Sequence, residues 1–245
     1  MTVPSASPLR QQTPNRLLAA LPADDYGKVA PHLERVVLGM RDVLYDVDQP
    51  IAHVHFPETM VGSVISIMAD GSAVETATVG REGMIGLPVF LGADRTSAQA
   101  FAQVPGPALR MPADAFRRAV AGSPALALAL HRYTQAYLTL VAQGSACNRL
   151  HPMVARCARW LLHTHDRVGA DEFPLTHQFL SQMLGVRRAT VTEAMGALQA
   201  LGVVDYQMGR VQVRDRAGLE GAACECYGVI VREFDRLLQP AAPAG

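Results

Sequence analysis

Residues 175–198 read LTHQFLSQMLGVRRATVTEAMGAL, and the reading of the fold turns on them. Leu180, Leu184, Val186, Val191 and Ala194 fall where two short helices crossing steeply must share a small core. Ser181 is small where the helices approach, and Gly185 can take the positive φ of the connecting turn. Thr176 is placed to cap the first helix, while Arg187, Arg188, Thr190, Thr192 and Glu193 project from the start of the second. A second helix entering a major groove by its N-terminal end can pair arginine with guanine and glutamate with cytosine. Its first amides favour a phosphate.

Downstream, Gly202-Val203-Val204-Asp205-Tyr206 and Val211-Gln212-Val213-Arg214 flank Gln207-Met208-Gly209-Arg210. This predicts a two-stranded wing with a basic tip, whose Arg210 would lie on the phosphate backbone and position the protein without reading bases. Upstream, His151-Pro152 marks a break. A helix through Val154, Cys157, Leu161 and Leu162 should follow it, ending at Val168-Gly169-Ala170-Asp171. A winged helix-turn-helix domain over 151–215 results, with double-stranded DNA as its partner.

Before the break, Ser123-Pro124 reads as an N-cap followed by proline at the first helical position. Leu126, Leu130, Tyr133, Tyr137, Leu140 and Gly144 then recur in steps of four and three, the spacing of a coiled-coil seam about three heptads long. The segment 124–150 is therefore expected to be a homodimerisation helix. The alternative is a helix lying on its own barrel. From Val36 to Met111 short β-type runs are cut by turn residues: 43–45, 53–56, 61–68, 73–79, 97–104 and 108–111. The clearest hairpin turns at Ala69-Asp70-Gly71-Ser72. The fold class is thus α+β, with a small antiparallel barrel or sandwich ahead of the long helix.

The chain has 245 residues, 49% of them hydrophobic, with 22 basic and 22 acidic side chains. Net neutrality means that any nucleic-acid surface must be a local one. No apolar run is long enough for a membrane span. Residues 1–14 lack the layout of a secretory signal, which predicts a disordered tail and a cytoplasmic protein with no membrane partner. Residues 216–245 should add a helical extension, with Leu219, Ala223, Tyr227, Ile230, Val231 and Phe234 at helical spacing, packed on the DNA-binding domain. Cys147, Cys157, Cys224 and Cys226 read as ordinary thiols. On a continuous helix Cys224 and Cys226 point apart, so a redox or metal switch there is disfavoured and no residue is assigned to a metal. No Ser/His/Asp spacing, phosphate loop or His-Glu-x-x-His motif points to an enzyme.

In its order of parts the chain resembles the Crp/Fnr family of transcription regulators. The resemblance covers residues 15–215 and rests on Asn15-Arg16-Leu17-Leu18-Ala19-Ala20-Leu21-Pro22, His55-Phe56-Pro57, Val79-Gly80-Arg81-Glu82-Gly83-Met84-Ile85-Gly86 and the helix-turn-helix. It implies an antiparallel β-roll over 15–123 and a dimer on a near-palindromic site, with Arg188, Ala189, Thr192 and Glu193 at base-reading positions. Thr176, Gln178 and Arg210 fall near backbone contacts, and RNA polymerase is a candidate partner. It also implies an effector pocket around Gly86, Leu87, Arg95, Thr96 and Ser97. Nucleotide-binding members carry a glutamate after the glycine; here Leu87 follows Gly86 and cannot accept a ribose hydroxyl. Arg95 keeps the phosphate arginine in one register, whereas with Ser97-Ala98 set on the family's Ser-Ala, Thr96 takes its place. Cyclic AMP control is not expected, no cofactor is assigned, and the effector is left open. A cyclic dinucleotide held near Arg149 and Arg156, or a vestigial sensor domain, are the alternatives. The oxygen-sensing members' N-terminal cysteines are absent, and His53, His55 and His151 read as structural or surface residues before haem ligands.

Overall fold

A computed structural model describes residues 13–238. The tail expected over 1–14 lies outside the described residues as far as Gln12, whereas Thr13 is buried and its hydroxyl accepts from the Asn15 amide at 3.3 Å. Two short helices, α1 (Arg16–Ala19) and α2 (Ala23–Val29), lead into β1 (Glu34–Leu38), β2 (Val43–Tyr45), β3 (His53–Pro57), β4 (Val61–Ile67) and β5 (Ala73–Val79). After the one-turn α3 (Leu87–Phe90) come β6 (Ala98–Val104), β7 (Gly106–Pro112), α4 (Ala113–Ala121) and the long α5 (Pro124–Leu150). The second half runs α6 (Met153–Val168), β8 (Glu172–Pro174), α7 (His177–Leu184), α8 (Arg188–Ala200), β9 (Val204–Gln207), β10 (Arg210–Val213), α9 (Arg216–Ala222) and α10 (Cys226–Leu237).

The α+β class and the antiparallel roll are as the sequence implies. Two sheets, ordered β1-β7-β3 and β2-β6-β4-β5, contribute to one hydrophobic core. Gly71 takes φ 81° in the β4–β5 turn, where Asp70 Oδ1 accepts from the Ser72 amide at 2.9 Å. Ser123 caps α5, its Oγ accepting from the Leu126 amide at 3.1 Å. Among the described residues no helix is long and apolar enough to cross a membrane.

The expected dimer seam needs correction. Leu126, Leu130, Tyr133 and Leu140 are buried within this one chain, in a core shared with the roll. The Tyr133 hydroxyl donates to the Met84 carbonyl at 3.0 Å, and its ring lies so close to Gly83 that a Cβ there would overlap it. The steps of four and three mark the face of α5 that covers its own β-roll, because one-sided burial against a sheet selects the same helical stripe as a coiled coil. Tyr137 and Gly144 are only half-buried.

The C-terminal extension also packs differently from expectation. Its helix breaks between Ala222 and Cys226; α9 lies on α6 of the DNA-binding half, and the first turn of α10 touches α6 as well, where the Tyr227 hydroxyl donates to Asp166 Oδ2 at 2.9 Å. Helix α10 returns to α5, sending Ile230, Phe234 and Leu238 into the roll's core. A second core surrounds Trp160, Leu180, Val191, Met195 and Val211, and draws Ile65 and Phe101 from the roll into it. The two halves are further joined by polar contacts: Trp160 Nε1 donates to Glu75 Oε2 at 2.7 Å, and Arg167 pairs with Glu82 at 2.8 Å. Both members of the latter pair are buried, so loss of either would strand a charge.

Candidate nucleic-acid interface and effector cavity

Thr176 caps α7, with Oγ1 accepting from the Phe179 amide at 3.1 Å, and Gly185 closes the helix at φ 64°. The turn then enters α8 through Arg187, an N-cap residue whose side chain makes no capping bond. The first amides of α8 are therefore left for another acceptor. Arg187, Arg188, Ala189, Thr192 and Glu193 are exposed around this helix start, and Thr190 is half-buried. Gln178 is exposed one turn away on α7.

The wing is a tight hairpin in which Met208 (φ 48°) and Gly209 (φ 74°) are the two turn residues between paired Gln207 and Arg210. Two successive positive φ values fit the twist of the flanking strands. A third strand, β8, pairs with β10, which the two-stranded expectation did not include. Arg210 is exposed at the base of the turn and ion-paired with Glu172. The fully exposed Met208, and not an arginine, forms the tip.

Sequence reasoning missed His177. Its ring stacks on Tyr206 of β9 with centroids 4.2 Å apart, and Nδ1 lies 3.0 Å from Thr192 Oγ1. One side chain thus links α7, α8 and the wing. Burial first, and then the nearby Arg188 charge, hold its pKa below the usual histidine value. Nothing local in the sequence pairs His177 with a tyrosine on a later strand. Thr192 is also tied to its own helix, its hydroxyl lying 3.1 Å from the Arg188 carbonyl.

In the roll, a cavity of about 290 Å³ is lined by Gly86, Leu87 and Thr96 together with Tyr45, Tyr137 and Val141. Gly86 is required for its own conformation, at φ 102° with Val54 3.0 Å from where a Cβ would sit. Arg95 and Ser97 do not line it; Arg95 is exposed and donates to the Asp48 carbonyl at 3.3 Å. Among the described residues no charged side chain lines this cavity. Tyr137, expected at a dimer seam, instead faces it, and burial pushes its hydroxyl up to about 12.

Of the basic groups considered near the hinge, Arg149 is exposed, but Arg156 is buried and donates to the Leu184 carbonyl at 2.9 Å. A separate interdomain cavity of about 280 Å³ gathers Arg16, Arg81, Arg167 and Arg216. Three of these are neutralised, by Asp235 at 2.9 Å, Glu82 at 2.8 Å and Asp166 at 2.6 Å.

His55 is a core residue. Its Nδ1 is buried with no hydrogen-bond partner among the described residues, and burial, then His53 and Arg110, lower its pKa to about 4.

An all-helical hinge, a β-roll and a three-stranded wing beside a helix-turn-helix define a two-domain protein of the winged-helix class. Residues 155–222 match the Crp-like helix-turn-helix domain family. The chain is similar to the structure of FixK2 from Bradyrhizobium japonicum at 17% identity and TM-score 0.67, covering 78% of this chain and 98% of that one. It is also similar to a Crp-family transcriptional regulator of Thermus thermophilus, at 18% identity and TM-score 0.61 over 85% of this chain and 100% of the other. A third is CLP of Xanthomonas campestris, described as a c-di-GMP responsive global regulator, at 14% identity and TM-score 0.60 over 78% and 99%. No curated protein matches the sequence. In fold the chain is thus similar to Crp/Fnr-type regulators, and its residues 155–222 match the Crp-like helix-turn-helix domain.

Proposed function

We propose that this protein is a transcription regulator that binds a near-palindromic double-stranded DNA site as a homodimer, without cyclic AMP control. The observation that carries this reading is the exposed set Arg187, Arg188, Ala189, Thr192 and Glu193 around the uncapped start of α8, beside a wing. Arginine and glutamate at that end suit guanine and cytosine edges, while the free amides, Thr176, Gln178 and Arg210 suit phosphates. It is a binding protein of the cytoplasm rather than an enzyme, with RNA polymerase as a further partner.

The homodimer is assigned to the other face of α5. Leu128, His131, Gln135, Leu138, Ala142 and Ser145 recur in steps of three and four along it. Leu128 and Leu138 are 48% and 57% exposed, on a helix whose opposite side is already committed to the roll. Two such faces packed together would bury these leucines.

Cyclic AMP is disfavoured because the roll's cavity offers no cation for a phosphate and presents Leu87 where a ribose acceptor is needed. An uncharged effector suits its apolar wall. The cyclic-dinucleotide alternative loses support, since Arg156 is engaged and three arginines of the interdomain cavity are paired.

The test compares two arginines on a panel of duplexes. Arg188→Ala should cost about 1–3 kcal/mol on the preferred site and relax base preference, whereas Arg210→Ala should weaken all sequences alike and lower the salt slope by about one. Uniform losses in both variants would contradict the placement of α8 as the reader.

A further inference from the structure

The fold brings together residues that the sequence keeps far apart. Cys147 lies on the last turn of α5, and His151 follows four residues later at the break, so both face the same side. Cys224 and Cys226 arrive from the connection between α9 and α10. Because the helix is interrupted at Ala223, the two are not held apart as a continuous helix would hold them. This overturns the expectation that they point in different directions. The three sulfurs and one imidazole nitrogen all lie within 4.8 Å of one another. Cys147 and Cys224 sulfurs are 3.4 Å apart, and Cys226 Sγ is 3.4 Å from His151 Nδ1.

We propose that Cys147, His151, Cys224 and Cys226 form a structural site for one tetrahedral thiophilic ion of the Zn²⁺ class. A metal–sulfur bond of about 2.3 Å sets tetrahedral sulfur–sulfur edges of about 3.8 Å, so the set closes on an ion with shifts of about 1 Å or less. Three cysteines and a histidine are a full complement for a closed structural site, with no open position for a reacting water. A cluster of several irons would hold these atoms further apart than a single ion does.

The surroundings are those of a metal site. His151 Nε2 lies 3.2 Å from Glu225 Oε1, which keeps that nitrogen protonated and turns the Nδ1 lone pair toward the sulfurs. Gln143 Nε2 donates to Cys226 Sγ at 3.1 Å. Arg159 acts electrostatically on Cys147, and Arg156 on Cys147 and Cys224; both arginines are buried, and among the described residues their Nε atoms have no hydrogen-bond partner. Three thiolates around a divalent ion carry one net negative charge, which offsets half of the charge of these two buried guanidinium groups. Loading displaces the three thiol protons to solvent. The ion would tie the end of α5, the break before α6 and the start of α10 into one unit, fixing the hinge between the roll and the DNA-binding half.

The test is made without DNA, so its outcome is independent of the proposed regulatory role. Full-length protein, purified under reducing conditions, is assayed for metal and then reconstituted with Co²⁺ as a spectroscopic probe. One zinc per chain is expected, and one cobalt with sulfur-to-metal charge-transfer bands and the intense visible bands of a tetrahedral site. Cys224→Ser and Cys226→Ser should abolish these bands and Cys157→Ala should keep them. Glu225→Gln, an exposed change that leaves all four ligands, should lower Zn²⁺ affinity about tenfold and carries the test if the cysteine variants misfold. Folded, reduced protein that takes up no stoichiometric Zn²⁺ or Co²⁺ would overturn the proposal. So would iron with acid-labile sulfide at these cysteines, or Zn²⁺ affinity unchanged by Glu225→Gln.

Discussion

The winged helix-turn-helix and the β-roll store their functional information differently. In the former, the side chains that face outward are placed by the spacing of the same short segment: the core stripe of α7 and α8 leaves Arg187, Arg188 and Glu193 exposed together. In the roll, the cavity beneath Gly86 and Leu87 is completed by Tyr45 from β2 and Tyr137 and Val141 from α5. A surface that reads a polymer can be built locally. A pocket that surrounds a small molecule must converge from distant segments, and its chemistry follows from which of them arrive.

The largest expected effects separate the two faces of α5 on which this contrast rests. Tyr133→Ala should destabilise the protein by about 3–5 kcal/mol in denaturant unfolding, because it empties a packed site against Gly83 and Met84. Leu138→Asp should leave the fold intact and convert the proposed dimer to monomer in sedimentation. Reversal of these outcomes would restore the Leu126–Tyr133–Leu140 stripe to the subunit interface.

Acid should reveal the roll next. Since His55 is held at about 4 from an ordinary 6.5, the unfolded chain binds the extra proton over that interval. Its contribution of about 3 kcal/mol is complete above pH 6.5 and lost as pH falls toward 4. His55→Phe should flatten this part of the stability profile. A profile unchanged by the substitution would mean that His55 does not titrate as its burial requires.

The smallest effect lies between reader and wing. His177→Ala removes the Tyr206 stack and the bond to Thr192, and should weaken DNA binding by about 1 kcal/mol, with His177→Phe recovering the stacking part. Equal losses in both variants would assign the effect to the hydrogen bond alone.

What is legible in the sequence follows the same division. The β4–β5 hairpin is readable from alternation and Asp70-Gly71, and the start of α5 from Ser123-Pro124, because both depend on neighbours in the chain. The first strand, Glu34–Leu38, is not among the β-type runs read from the sequence, since Glu34, Arg35 and Val37 are all exposed on this strand and no buried stripe marks it. The α5 stripe suggests an intersubunit seam because a heptad-like pattern states that a face is buried but not against what. Arg95 matches a phosphate ligand by register, yet it stands exposed outside the cavity. The Cys147, His151, Cys224 and Cys226 cluster is hidden by the assumption of an unbroken C-terminal helix, which the structure interrupts at Ala223.

The central claim is that α8 reads DNA in a dimer that needs no cyclic AMP. Selection of bound sites from random duplex DNA by the purified full-length protein, with and without cyclic AMP, tests it most directly. The account predicts a near-palindromic site, half-sites about one helical turn apart, enriched equally in both conditions. Enrichment only with cyclic AMP, or of a single unpaired half-site, would contradict it.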